Sequence, residues 1–178
     1  RIDPKLTAQN HLELGRAEER TISTGDREPM VRFATRGKTL VLDPDAALTV
    51  ESSNVDTIEL ELWQIPDNNL HYAGSAVYDP DSLDDDDFSY GASLIWRGSF
   101  IPEQTEKNAT VQSRIAFADM AGKETRIGAY VLVAKIDGKK YYYGDKRPVI
   151  GFTVTDQGFT AYQTRDGLLA ELRDLRSN

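Results

Sequence analysis

The run Thr57–Ile65, TIELELWQI, constrains this chain more than any other stretch. Ile58, Leu60 and Leu62 fall on one side of an extended backbone, and Glu59 and Glu61 on the other. A repeat of two is the pattern of a strand in a sheet with one dry and one wet face. Glu59 and Glu61 are therefore expected to face water. Trp63 and Ile65 interrupt the polar side, so that end of the wet face is expected to be covered, with Trp63 as its floor.

Strands with turn signals between them recur along the chain. Met30–Phe33, Thr39–Asp43 and Ala47–Ser53 precede the central strand. Ser93–Ile101, Ala109–Phe117, Ile127–Asp137 and Lys139–Tyr143 follow it, with Asp137-Gly138 read as the turn of a hairpin. Val149–Thr155 closes the set. This pattern predicts an all-β fold, a seven-stranded antiparallel fibronectin/immunoglobulin-like β-sandwich. Residues 66–91 lack strand rhythm and are expected to form a partly helical insertion, with Asp67-Asn68-Asn69 capping a short helix through Tyr78.

Beyond this unit the chain reads as the start of another. Phe152-Thr153-Val154-Thr155, the short joint Asp156-Gln157-Gly158 and Phe159-Thr160-Ala161-Tyr162 alternate in turn, and Arg165-Asp166-Gly167 is a hairpin signal. Leu168–Leu175 has helical spacing and good helix formers, but the hairpin signal before it favours a strand. At the other end, Arg20–Thr24 reads as a short strand followed by a Gly25-Asp26 linker. The expected organisation is a remnant and linker over 1–25, a sandwich over 26–156 and a following hairpin over 157–178, as in beads cut from a longer array.

Composition narrows function by exclusion. A formal charge of −8 opposes nucleic-acid or anionic-membrane partners, whose phosphates would be repelled. Lys139-Lys140 beside Tyr141-Tyr142-Tyr143 is read as a lysine-guarded strand edge. There is no cysteine, hence no disulfide, thiolate metal site or cysteine nucleophile within the chain. The longest apolar run, Ala129–Ala134, falls far short of the roughly 20 residues of a membrane-spanning helix. No P-loop, G-x-S-x-G or G-x-G-x-x-G motif occurs, and the reading is that of a non-enzyme without cofactor or metal. His11 and His71 have no spacing that supports a zinc site. The six aspartates of Asp79–Asp87 are read as a solvated loop, with calcium as the alternative. Asn108-Ala109-Thr110 is a formal glycosylation sequon. Trp63, Tyr72, Tyr78, Phe88, Tyr90 and Trp96 cluster in and around the insertion as a possible interaction surface, or else pack the insertion onto the sheet.

Several runs resemble the macroglobulin-like domains of bacterial α2-macroglobulins: Arg27–Gly37 (REPMVRFATRG), Val50–Asp56 (VESSNVD) followed by the central strand, the G-x-Y strand Gly128–Ala134 and the joint Phe152–Tyr162. Asp166-Gly167-Leu168 is similar to the first hairpin of the next such domain, and Arg20–Asp26 to the end of the previous one. The resemblance implies a macroglobulin-like β-sandwich from the N-terminal half of a broad-spectrum endopeptidase inhibitor, which traps proteases after cleavage of a bait region. It implies an extracytoplasmic, periplasm-facing parent, anchored through a lipidated N-terminus outside this stretch. Its partners would be neighbouring macroglobulin-like domains, and target proteases by way of the whole parent. No direct membrane contact by this fragment is implied. The thioester of such proteins needs a cysteine, so no covalent residue is carried over. The rival reading is a carbohydrate- or protein-binding sandwich module of a cell-surface or cell-wall protein, using the aromatic cluster.

Overall fold

The computed structural model describes all residues except 1, 4, 14, 18, 23–24, 36–37, 70, 72–90, 104–105, 123–125, 143–144, 146 and 177–178. Two sheets face one another. One holds β1 (Met30–Phe33), β3 (Ala47–Ser53) and β6 (Val111–Ala116) in the order β1-β3-β6. The other holds β2 (Thr39–Val41), β4 (Ile58–Ile65), β5 (Ser93–Phe100), β7 (Gly128–Ile136) and β8 (Val149–Thr155) in the order β2-β8-β7-β4-β5. The expected all-β sandwich is present, with consecutive strands β1 and β2 divided between the two sheets. Its pairs are antiparallel except β2 against β8, which run parallel.

Alternation places the core. Ile58, Leu60 and Leu62 of β4 meet Tyr130, Leu132 and Ala134 of β7 and Ile150, Phe152 and Val154 of β8 on the inner face. Leu48 and Val50 of β3 and Val31 of β1 close the core from the opposite sheet. At its centre the Tyr130 ring stacks on Phe152 at 5.8 Å, and Phe117 meets both edge-on at 5.1 and 5.6 Å. Edge-to-face and offset contacts suit the ring quadrupoles and add to the hydrophobic burial. The Tyr130 hydroxyl leaves the core by donating to the Arg126 carbonyl at 2.8 Å, and burial raises its pKa above the usual phenol value.

Three local expectations fail for identifiable reasons. Lys139–Tyr142 is not a strand: β4 holds one edge of β7 and β8 takes the other over Gly128–Val133, which leaves only the end of β7 next to the turn. The segment folds back instead. Ile136 N–H donates to the Tyr141 hydroxyl at 3.0 Å, Tyr142 N–H to Asp145 Oδ2 at 2.8 Å, and Asp145 N–H to the Tyr142 carbonyl at 2.9 Å. Of the strand expected over Arg20–Thr24, the described residues Arg20–Ile22 are not in strand and pair with no described strand, and Ile22 stays 84% exposed. The strand expected over Ala109–Phe117 stops at Ala116, where a one-turn helix α1 (Phe117–Ala121) begins. Phe117 N–H donates to the Ala46 carbonyl at 2.8 Å, and burial of Phe117 and Met120 holds the turn against the core. A single turn is too short to show helical periodicity in sequence.

The C-terminal segment resolves as strand. β9 (Gln157–Thr164) and β10 (Gly167–Asp174) form an antiparallel hairpin that pairs with no other described strand. Gly167, with φ of 135°, supplies the turn backbone that a residue with a Cβ rarely adopts. The insertion begins with a 3₁₀ turn at Asp67–Asn69. Asn69 Nδ2 donates to the Gly91 carbonyl at 3.3 Å, tying the insertion's two ends together; the helix expected to continue through Tyr78 lies outside the described residues.

Truncating Phe152 to alanine removes the ring that both Tyr130 and Phe117 contact. The variant is expected to lose about 3–5 kcal/mol of unfolding free energy in urea titrations, with the slope unchanged.

Candidate functional site

The aromatic surface read from sequence does not assemble around the two tryptophans. A bulge between Leu62 and Trp63 shifts the β4–β5 register, so that Trp63 faces Leu94 while Leu62 faces Trp96. Alternation along β4 already puts Trp63 on the outer face, and Trp96, opposite inward-facing Leu62, turns inward. Its indole lies across Gly98, where an added Cβ would come within 2.3 Å of the ring, and it packs on the main core. Trp63 turns outward and joins Ile65, Ala92, Ala129, Val131, Val133 and Val149 in a second apolar cluster on the outer face. The two tryptophans stand on opposite faces of one sheet and share no surface. Tyr72, Tyr78, Phe88 and Tyr90, like the aspartate run Asp79–Asp87, lie outside the described residues.

Beside that outer cluster, strict alternation again misleads. Glu59 faces water as expected, but Glu61 is only 8% exposed. Its Oε1 accepts from Lys135 Nζ at 2.9 Å on β7 and from Arg97 on β5, whose Nη2 lies at 2.9 Å and whose Nε lies at 3.1 Å. Burial pushes the Glu61 carboxyl up, but the hydrogen bond and charge of Lys135, with those of Arg97, outweigh it and hold the group below the ordinary 4.5. Burial likewise pulls the Arg147 guanidinium down, while the charge of Glu61 acts the other way. The cluster clamps three strands across the outer face. No group of three or more metal-ligating side chains occurs among the described residues, and exposed His11 and His71 stand far apart in sequence.

More polar structure gathers where the chain joins the sandwich. At the N-terminal joint, Arg27 N–H donates to Asn108 Oδ1 at 2.8 Å, and Asn54 Nδ2 donates to the Arg27 carbonyl at 2.7 Å. The asparagines also bind each other: Asn54 Nδ2 donates to Asn108 Oδ1 at 2.8 Å, and Asn108 N–H to Asn54 Oδ1 at 2.8 Å. Lys107 pairs with Asp26 at 2.7 Å. An open cleft of about 800 Å³ adjoins this joint, lined by Asp26, Arg27, Pro29, Val55, Ile101 and Pro102 among others. At the C-terminal joint, buried Asp156 pairs with Arg176 at 2.7 Å, and its carbonyl accepts from Leu175 N–H at 2.7 Å. Gln157 N–H donates to Thr155 Oγ1 at 3.0 Å, closing the bend between β8 and β9. Sequence reading marked both joints but missed these side chains. Asn108 had been visible only as a sequon; its carbonyl oxygen is committed to two internal donors.

Solved structures share the fold. The crystal structure of native alpha-2-macroglobulin from Escherichia coli spanning domains NIE-MG1 matches with a TM-score of 0.66 at 21% identity, over 86% of this chain and 73% of that one. The structure of the same protein spanning MG0-NIE-MG1 gives 0.68 at 23%, over 99% of this chain and 55% of that one. The cryo-EM reconstruction of its native conformation gives 0.65 at 22%, over 97% of this chain and 11% of that one. At these identities the likeness defines the fold class, a macroglobulin-like β-sandwich. The sequence profile of the bacterial alpha-2 macroglobulin MG2 domain matches residues 32–147, more than half of the chain, and the chain belongs to that family. No curated protein matches it. The chain spans about half of the longer Escherichia coli fragment and about a tenth of the chain in the reconstruction.

A carboxyl depressed by folding contributes stability above its ordinary pKa, and that contribution is lost as pH falls through the folded value. The wild-type protein should therefore lose the Glu61 contribution below about pH 4.5. Glu61→Gln is expected to cost about 1–3 kcal/mol at neutral pH and to narrow the stability difference between neutral and acid pH, read by urea unfolding across pH.

Proposed function

We propose that this chain is an architectural segment of a bacterial alpha-2-macroglobulin, acting as a wall element of a broad-spectrum endopeptidase inhibitor. The family membership of residues 32–147 carries this reading. The non-enzymatic role follows from that family and from a described surface whose polar clusters tie strands and joints together. In this reading residues 1–25 belong to a preceding domain and its linker, 26–156 form the sandwich, and 157–178 begin the next domain. The hairpin supports the last point. Phe159, Leu168 and Leu172 are 69%, 73% and 63% exposed on strands that pair only with each other among the described residues. Apolar side chains displayed this way call for further strands to cover them. The parent would lie on the periplasmic side of the envelope, anchored through a lipidated N-terminus outside this stretch, and meet proteases as a whole.

Trp63 and Trp96 lie on opposite faces of their sheet and so contribute to no common surface, while the other four aromatics of the carbohydrate- or protein-binding rival lie outside the described residues.

The test is inhibition by the full-length parent. Incubated with endopeptidases of several specificities, it is expected to suppress digestion of a protein substrate, while the 178-residue chain alone does not. A parent that leaves every such protease fully active would overturn the reading.

A further inference from the structure

Asn54 and Asn108 stand on separate turns, yet both adopt left-handed backbone, with φ of 54° and 64°. Asparagine tolerates that region better than most residues bearing a Cβ. The two turns thereby aim both side-chain amides at one peptide. Arg27 has its N–H and its carbonyl both engaged, by one amide oxygen and one amide N–H. Those are the two bonds that a neighbouring strand would supply in a ladder. Arg27 lies before β1, where no described strand runs beside it, so a side-chain pair takes the place of a strand. Asp26, the preceding residue, is held by Lys107. Gly25, one residue further, has open space where a side chain would be.

We propose that Asn54 and Asn108 form a latch that grips the Arg27 peptide and moves the pivot of the N-terminal joint to Gly25 and the residues before it. The linker read from sequence at Gly25-Asp26 is then fixed at Asp26 and open at Gly25. The direction in which the chain before Arg27 leaves the sandwich is set by the fold at Arg27. What the latch would orient in a longer protein rests on the array reading above; the latch itself does not, and its test involves no protease.

The chemistry of the pair makes the proposal specific. Asn54→Asp removes the donor shared by the Arg27 carbonyl and Asn108 Oδ1 and sets a carboxylate against both oxygens. Asn108→Asp keeps an oxygen that accepts from Arg27 N–H and from Asn54. Amide exchange of the full chain, resolved by residue, reads the difference. In the wild type the Arg27 amide is expected to exchange at least about tenfold more slowly than its intrinsic peptide rate, with the Ile22 and Gly25 amides near theirs. Asn54→Asp should accelerate Arg27 by about tenfold, Asn108→Asp by less than about twofold, while β7 amides keep their protection. Equal effects of the two variants, or none from Asn54→Asp, would overturn the latch. Should Asn54→Asp also strip protection from β7, the wild-type comparison decides: an Arg27 amide as fast as that of Ile22 rules the latch out.

Discussion

Everything in this domain depends on β7 being held on both edges. β4 pairs with it over Ala129–Ile136 and β8 over Gly128–Val133, and its alternate side chains enter both apolar clusters. A strand so flanked satisfies its backbone polar groups within the sheet and can bury both faces. That is why Ala129 to Ala134 is buried without interruption. It also dictates what the following segment does. With β8 on that edge over Gly128–Val133, the described residues after the turn fold back through the hydrogen bonds of Tyr141, Tyr142 and Asp145.

The second consequence lies on the outer face. Where β4, β5 and β7 run side by side, Glu61 sits between Arg97 and Lys135, and the apolar cluster begins at Val133 directly across from it and continues at Trp63 and Val131. A carboxylate there is tolerable because two cations reach it and its oxygen accepts from both. The outer face thus changes character along one strand, from water at Glu59, through a salt-bridge clamp, to a dry patch at Ile65. Other polar clasps collect where chain enters and leaves the sandwich. One joint is held by neutral amides around Arg27, the other by the Asp156–Arg176 ion pair.

Much of this was legible in the residues. The inner face of β4, the strand cores of β3, β7 and β8, the Asp-Gly hairpin before β10 and the sandwich itself follow from alternation and turn chemistry. The family resemblance was carried by short runs whose order matched. Other features were hidden for physical reasons. Glu61 and Glu59 are indistinguishable by alternation, and only the cations on the two adjacent strands separate them. Trp63 and Trp96 looked like partners because the pairing that sets Trp96 opposite inward-facing Leu62, one residue before Trp63, cannot be read from either segment alone. Asn54 and Asn108 are 54 residues apart, and neither turn announces that it aims at Arg27.

The amino-acid sequence by itself determined which residues avoid water and with what period, and so the strands, their inner faces and the class of fold. Tertiary structure decided which edges were already taken, which charges met, and which face each tryptophan reached. Those outcomes depend on neighbours brought together from distant parts of the chain, and a periodicity read along one strand carries no information about what lies beside it.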